Sequence, residues 1–165
     1  MIRVAITGPE SSGKTTLSVA LADYFKVDSI PEFARAFLEQ SGGEYNQSDL
    51  DVIAKGQLES ILSKKNEVII SDTDFMVLEI WSQYKYGNVS AYISELVQKD
   101  FFDLHILCSP DIPWEEDPLR ENPDNREALF EMYLSSLKNQ NKHFIIVSGD
   151  QNQRVVKSLR SIDLL

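Results

Sequence analysis

The sequence predicts one α/β domain, a five-stranded parallel sheet covered by helices on both faces. Three observations carry that prediction. Short apolar runs alternate with longer segments whose apolar residues recur every three to four positions, the two periods of strand and helix. Each apolar run is followed by helical segments before the next, and strand-helix-strand crossovers within one sheet are right-handed and make the strands parallel. The 165 residues suit one ordinary domain, and 42% apolar with 25% charged residues is globular usage. Disordered, collagenous and coiled-coil chains are excluded on the same grounds.

The elements follow in order. Ile2–Thr7 is a largely apolar run that ends at Gly8 and reads as a buried first strand. From Gly13 to Phe25, Leu17, Ala20, Leu21, Tyr24 and Phe25 fall at helical spacing. Val27–Ile30 reads as the second strand, closed by Pro31, and a helix runs from Glu32 or Phe33 to about Gln40, before Gly42 and Gly43. Ser48 is a candidate cap for the next helix, with Leu50, Ile53, Ala54, Gln57, Leu58, Ile61 and Leu62 on one face. Glu67–Asp72 is the third strand, apolar within and acidic at its end. Helices follow over Phe75–Tyr86 and Ser90–Lys99, divided by Gly87 and Asn88. Leu104–Cys108 is the fourth strand. A charged stretch from Asp111 to Asn125, broken by prolines, leads to a helix over Asn125–Lys138 with Leu129, Phe130, Tyr133, Leu134 and Leu137 inward. Phe144–Val147 is the fifth strand, and from Gln153 a last helix places Val155, Val156, Leu159 and Ile162 on one face. No repeat, low-complexity tract or linker divides the chain, so residues 1–165 read as one domain.

Sixteen basic against 26 acidic residues give a net charge of −10. Nucleic acid is excluded as the main partner, because a phosphate backbone needs a basic footprint. A polyanionic ligand would have to be held by local donors and a metal ion against the overall field. No apolar run approaches the roughly 20 residues of a membrane span, no signal peptide precedes Ile2, and the single Cys108 makes no internal disulfide. These features predict a soluble cytoplasmic protein with no membrane partner. A homo-oligomer is compatible with them.

Gly8-Pro9-Glu10-Ser11-Ser12-Gly13-Lys14-Thr15 matches G-x-x-x-x-G-K-[ST], and it follows the first strand and opens a helix, as phosphate binding requires. Glycines let successive N–H groups turn inward around phosphate oxygens, and the helix aims its positive end at the same anion. Residues 8–16, Thr16 included, are therefore the candidate nucleotide loop. Lys14 supplies charge to the outer phosphates, and the Thr15 hydroxyl is a candidate Mg²⁺ ligand. This makes the predicted architecture a three-layer P-loop NTPase fold.

Such a site needs a carboxylate at the end of a neighbouring strand to hold Mg²⁺. Asp72 fits, and it is also placed to cap the helix that follows. Asp74 is a candidate for the acceptor side, although acids in a first helical turn also favour the helix dipole. In a doubly wound sheet, ligands collect at the carboxyl ends of strands. That places Pro31-Glu32-Phe33-Ala34-Arg35 beside the loop, with Glu32 a candidate base for a substrate hydroxyl and Arg35 a candidate for steadying the transferred charge. The plainer alternative is an exposed Glu32–Arg35 ion pair. Residues from about 110 to 126 suit a mobile lid, in which Arg120 and Arg126 neutralise the transition state and closure excludes water; the plainer reading is a solvated loop with Trp114 packing its base. Trp81, Tyr84 and Tyr86 either join the core or line an acceptor pocket. Cys108 reads as a core residue, and His105 and His143 lack metal-ligand spacing. Ser148–Gln151 either passes near an adenine ring or forms an ordinary turn.

The blocks GPESSGKTTL (8–17), PEFAR (31–35), DTDF (72–75) and DIPWEEDPLR (111–120), in this order and spacing, resemble the ribosylnicotinamide kinase domain of NadR-type proteins. The resemblance spans essentially the whole chain. It implies a layout similar to the deoxynucleoside and thymidylate kinases, with five parallel strands, a lid, and transfer of the ATP γ-phosphate to the ribose 5′-hydroxyl of nicotinamide riboside. By position it assigns Lys14 and Thr15 to phosphate and Mg²⁺, Asp72 to the metal shell, Glu32 and Asp74 to the acceptor side, and Arg120 to the lid. Family members often carry an aromatic residue just before the strand-two glutamate, where this chain has Pro31. The H-x-G-H motif of an adenylyltransferase is missing from the sequence.

A small-molecule kinase using ATP and Mg²⁺ is thus the leading expectation, with nicotinamide riboside as acceptor. A deoxynucleoside or other metabolite is the alternative acceptor. A nucleotide-dependent ATPase or GTPase switch is the other class, but Asn141-Lys142-His143-Phe144 lacks the Asp of a guanine-reading motif. AAA-type mechanical ATPases are set aside because they add a further helical domain.

Overall fold

In the computed structural model, which describes residues 1–99 and 101–165, four strands and seven helices alternate along the chain. They are β1 (Ile2–Thr7), α1 (Lys14–Phe25), α2 (Phe33–Gln40), α3 (Gln47–Ser63), β2 (Val68–Asp72), α4 (Phe75–Tyr86), α5 (Ala91–Gln98), β3 (Leu104–Cys108), α6 (Arg126–Asn139), β4 (Phe144–Val147) and α7 (Gln151–Ile162). The sheet has the order β2-β1-β3-β4 and every pairing is parallel.

Alternation along the strands divides the core. Val4 and Ile6 of β1, Ile70 of β2 and Ile106 of β3 meet Leu17 and Leu21 of α1 and Ile162 of α7 on one face. Ala5 and Ile69 point to the other face, into a cluster with Ala34, Leu50, Ile53, Ile61, Phe75 and Ile93 from α2 to α5. Leu107 joins Met76 and Ile80 of α4 to Leu129, Tyr133 and Leu137 of α6. Helices therefore cover both faces of a parallel P-loop sheet, as predicted. Among the described residues, no helix is long and apolar enough to cross a membrane.

The sheet has four strands rather than the five expected. The predicted strand Val27–Ile30 shrinks to a single bridge between Ile30 and Ser71, held by Ile30 N to Ile70 O and Asp72 N to Ile30 O, each 2.8 Å. Its two ends explain the loss. Lys26 turns left-handed (φ 57°) to close α1, and the Val27 N–H is committed to Ala22 O at 3.0 Å. On the other side Pro31 has no N–H to continue a ladder.

Smaller corrections concern caps and faces. Asn46, not Ser48, caps α3, accepting from Ser48 N at 2.9 Å while Asp49 accepts from Asn46 N at 2.8 Å, a reciprocal capping box. Tyr24 and Leu62 are exposed. In α7 the buried stripe is Arg154, Ser158 and Ile162, whereas Val156 faces solvent.

Candidate active site

A cavity of about 540 Å³ opens beside the loop that leaves β1. Residues 8–16 form one wall. The loop turns at Gly8 (φ 133°), where a Cβ would meet Cys108 O at 2.8 Å, so only glycine lets the chain pass β3. Gly13, also left-handed (φ 83°), stands at the N-cap of α1 and contributes no side-chain cap, which leaves the first N–H groups of the helix free of side-chain partners. Lys14 Nζ lies across the loop, donating to Gly8 O and Pro9 O at 2.9 Å each, and Ser12 Oγ donates to Pro9 O at 2.7 Å. These bonds hold the loop in a closed turn, the candidate anion nest of the sequence pattern.

Asp72 ends β2 beside this wall. It is buried, and its Oδ1 has no hydrogen-bond partner. Burial pushes its carboxyl above the ordinary value, opposed by a hydrogen bond with the Thr15 side chain and by the charges of Lys14 and Arg35. A buried carboxylate with a free oxygen and an adjacent threonine hydroxyl is a donor set that fits a hydrated divalent cation. Among the described residues no group of three or more His, Cys, Asp or Glu side chains forms a closed metal site. Next in the chain, Thr73 holds φ 105°, a strained setting for a β-branched residue. It is pinned by Thr73 N to Ile6 O at 3.0 Å and Ser71 Oγ to Thr73 O at 2.8 Å.

Glu32 is half-buried on the cavity wall, at the N-cap of α2. Its carboxyl is raised from 4.5 chiefly by desolvation; Lys14 and Arg35 draw it down, while Asp72 and Glu10 push it further up. Its place is set from α3. Gln57, 2% exposed, accepts from Phe33 N at 2.8 Å and donates to Ser71 Oγ at 3.3 Å, tying the start of α2 to β2.

The sequence-predicted residues separate into groups. Residues 8–16, Glu32, Arg35, Trp81 and Arg120 all line the cavity. Asp72 does not line it and meets the loop through the Thr15 side chain. Asp74 is committed to the fold: it caps α4 by accepting from Val77 N at 3.1 Å, accepts from Thr7 Oγ1 at 3.2 Å, and pairs with buried His105 at 2.9 Å. Arg35 pairs with Asp117 of the segment between β3 and α6 at 2.9 Å, not with Glu32. Arg126 is not a lining residue and donates to Ser11 O at 3.1 Å and Ile112 O at 2.9 Å.

Residues 109–125 carry neither helix nor strand and are docked on the loop. Glu10 accepts from Asn122 N at 2.9 Å and Glu121 N at 3.2 Å, and Ser11 Oγ accepts from Glu115 N at 2.9 Å. Arg120 and Arg126 each lie 5.8 Å from the Trp114 ring, which does pack the base of this segment.

Several site residues escaped the sequence reading. Tyr45 meets Trp81 edge-on with ring centroids 4.8 Å apart, accepts from Trp81 Nε1 at 2.8 Å, and donates to Glu121 at 3.0 Å. Lys85 reaches both Tyr45 and, at 3.2 Å, Glu121. Tyr133 adds a further ring to the lining, beside Trp81 and Tyr84, for which the sequence had offered the pocket as one of two readings; Tyr86, offered with them, packs against the core instead. Tyr45 stands alone in a polar loop and carries no periodic signal; Tyr133 sits in the apolar stripe of α6 and reads as core.

The AAA_28 family, described as AAA domain, matches residues 3–154. The trifunctional NAD biosynthesis/regulator protein NadR of Salmonella typhimurium is 33% identical over 98% of this chain, and that of Escherichia coli is 30% identical over 98%. The chain spans 41% of the length of each. A crystal structure of NadR with NAD and AMP-PNP superposes with TM-score 0.78 at 17% identity, over 98% of this chain and 49% of that one, and one with NR gives 0.76 at 18%, over 99% and 50%. Thymidylate kinase from Ehrlichia chaffeensis has the same fold, with TM-score 0.71 at 15% identity over 98% of both chains. With its match over residues 3–154 and its likeness to NadR over nearly the whole chain, the chain belongs to the AAA_28 family of AAA domains and is a homologue of the NadR proteins.

Proposed function

We propose that the protein is a kinase, a single P-loop domain with a lid at about residues 110–126, that transfers the γ-phosphate of ATP to the 5′-hydroxyl of nicotinamide riboside. One observation carries the reading: the anion nest, the elevated carboxyl of Glu32 and a wall of aromatic rings share one cavity. A hydrolase or switch has no need of an apolar acceptor chamber next to its phosphate loop. The solved NadR complexes with AMP-PNP and with NR, at the same fold, support the choice of donor and acceptor. Tyr45, Trp81, Tyr84 and Tyr133 supply rings for a flat aromatic base, so an aromatic at position 31 is unnecessary.

The chain's own groups divide the work. The nest at 8–16 and Lys14 bind the β- and γ-phosphates. The Thr15 hydroxyl and Asp72 would hold Mg²⁺, which when bound supplies charge neutralisation on those oxygens. Glu32 accepts the proton of the attacking hydroxyl; its raised proton affinity makes it a stronger base than an exposed glutamate. Arg35 and Arg120, both on the cavity wall, balance charge on the transferred group. Docking of the lid through Glu10, Ser11 and Arg126 shuts out water that would compete with the acceptor.

The test is ADP release from MgATP with nicotinamide riboside, with a panel of deoxynucleosides, and with water alone. The proposal expects strong stimulation by nicotinamide riboside. Stimulation by a deoxynucleoside instead replaces the acceptor and keeps the kinase. Release indifferent to every acceptor removes the kinase reading and favours a nucleotide switch.

A further inference from the structure

Arg154 is the most deeply buried cation of the described residues, 2% exposed, and none of the roles above uses it. Four of the five donors of its guanidinium are engaged. Nε donates to Gly149 O at 2.9 Å, Nη1 to Ser12 O at 2.7 Å, and Nη2 to Ser109 O at 3.1 Å and to the Asp111 carboxylate. These partners come from three different places: the phosphate loop, the segment leaving β3, and the turn after β4. Asp111, in the first residues of the lid, also accepts from Gly149 N at 2.6 Å. A buried guanidinium is costly to desolvate and is retained where its planar fork fixes several acceptors at once.

The contact with Ser12 has a specific consequence. Its carbonyl belongs to the peptide joining Ser12 to Gly13, and an anion nest works only while its N–H groups face inward and its carbonyls face away. Gly13, at φ 83° and with no Cβ, lets that peptide rotate at little steric cost. Rotated, the peptide would aim a carbonyl oxygen at the phosphate and withdraw the Gly13 N–H.

We propose that Arg154 is a positioning residue for the phosphate loop: by holding the Ser12 carbonyl outward it keeps the Gly13 N–H turned to the nucleotide phosphates, and through Asp111 it anchors the lid to the same point. This rests on the reading of residues 8–16 as a nucleotide site. Lysine in its place keeps the charge and loses the fork, because one nitrogen cannot reach three carbonyls and a carboxylate in a plane.

The experiment compares wild type, Arg154→Lys and Lys14→Met by calorimetric titration with MgATP, well below each protein's thermal transition. The expected result is at least a tenfold weaker MgATP affinity for Arg154→Lys, together with loss of most of the rise in Tm that MgATP gives wild type. A merely structural arginine would lower the ligand-free Tm and leave the affinity of the folded protein unchanged. An affinity within twofold of wild type, while Lys14→Met abolishes binding, overturns the positioning role alone. Wild type that binds no MgATP overturns the nucleotide-site reading itself. If Arg154→Lys gives no cooperative transition, nitrogen NMR of the wild-type side chain decides. A locked guanidinium gives separate, slowly exchanging Nη signals that shift on adding MgADP, whereas a single averaged signal contradicts the proposal.

Discussion

Gly56→Ala in α3 sets two effects against each other, and the structure decides between them. Gly56 lies inside a 17-residue helix, where alanine is favoured by about 1 kcal/mol. A Cβ there would stand 2.3 Å from Phe33 Cζ and 2.5 Å from Cε1 and Cε2. Carbon atoms rest at about 3.5 Å or more, so the ring must withdraw by about 1 Å. Phe33 has little freedom to follow, because its N–H is held by Gln57 at 2.8 Å and Gln57 is tied in turn to Ser71. Overpacking of this kind costs about 1–3 kcal/mol, which against the propensity gain leaves a net loss of about 0–2 kcal/mol. At roughly 2–4 °C per kcal/mol for a chain of this size, Tm falls by up to about 8 °C. Glu32 adjoins Phe33, and a displacement near 1 Å at a proton-accepting group lowers turnover by up to about 100-fold. Thermal unfolding by circular dichroism, and phosphotransfer measured well below the transition, check both numbers. A variant that is more stable than wild type and equally active would show that Phe33 yields freely and that α3 does not seat Glu32.

Three further predictions follow from the same geometry. Glu32→Gln should abolish most turnover yet stabilise the fold at neutral pH. The raised carboxyl of Glu32 favours the folded state fully below its ordinary value of 4.5 and loses that contribution as pH rises through the higher folded value, so the two melting curves should converge in acid and separate towards pH 7. Asp72→Asn should weaken the dependence of ATP affinity on Mg²⁺, read by titration with and without chelator, while leaving the fold intact; an unchanged dependence would remove Asp72 from the metal shell. The Cys108 thiol, pushed up to about 12 by burial, should resist alkylation in the native protein at pH 8 and react fully on unfolding, as mass spectrometry would show.

The fold was legible wherever a period and a boundary residue agreed. β1, β3 and β4 are where the apolar runs put them, and α4 begins and ends as its spacing and Gly87 require. Val27–Ile30 misled because its apolar ends resemble a strand, while the competition for its hydrogen bonds, α1 on one side and Pro31 on the other, shows only in three dimensions. The phosphate loop was legible because its chemistry is local in sequence. Glu32 and Arg35 were found as loop neighbours at a strand end, but the partner of Arg35 is 82 residues away, in the segment between β3 and α6. Asp74 had two readings, and the structure commits its carboxylate to a helix cap, Thr7 and His105. Arg154 was invisible because a charge next to Val155 and Val156 reads as the solvent edge of an amphipathic helix, whereas its acceptors are backbone carbonyls that no residue type announces.

The proposed cavity chemistry carries a phosphoryl group from nucleotide to acceptor without releasing it to water. It is tested most directly by incubating the protein with MgATP labelled with ¹⁸O on the γ-phosphate and with nicotinamide riboside, then weighing the products. Nicotinamide mononucleotide carrying the label in proportion to the ADP formed is the expected result. Label appearing only in inorganic phosphate, with nicotinamide riboside unchanged, would contradict it.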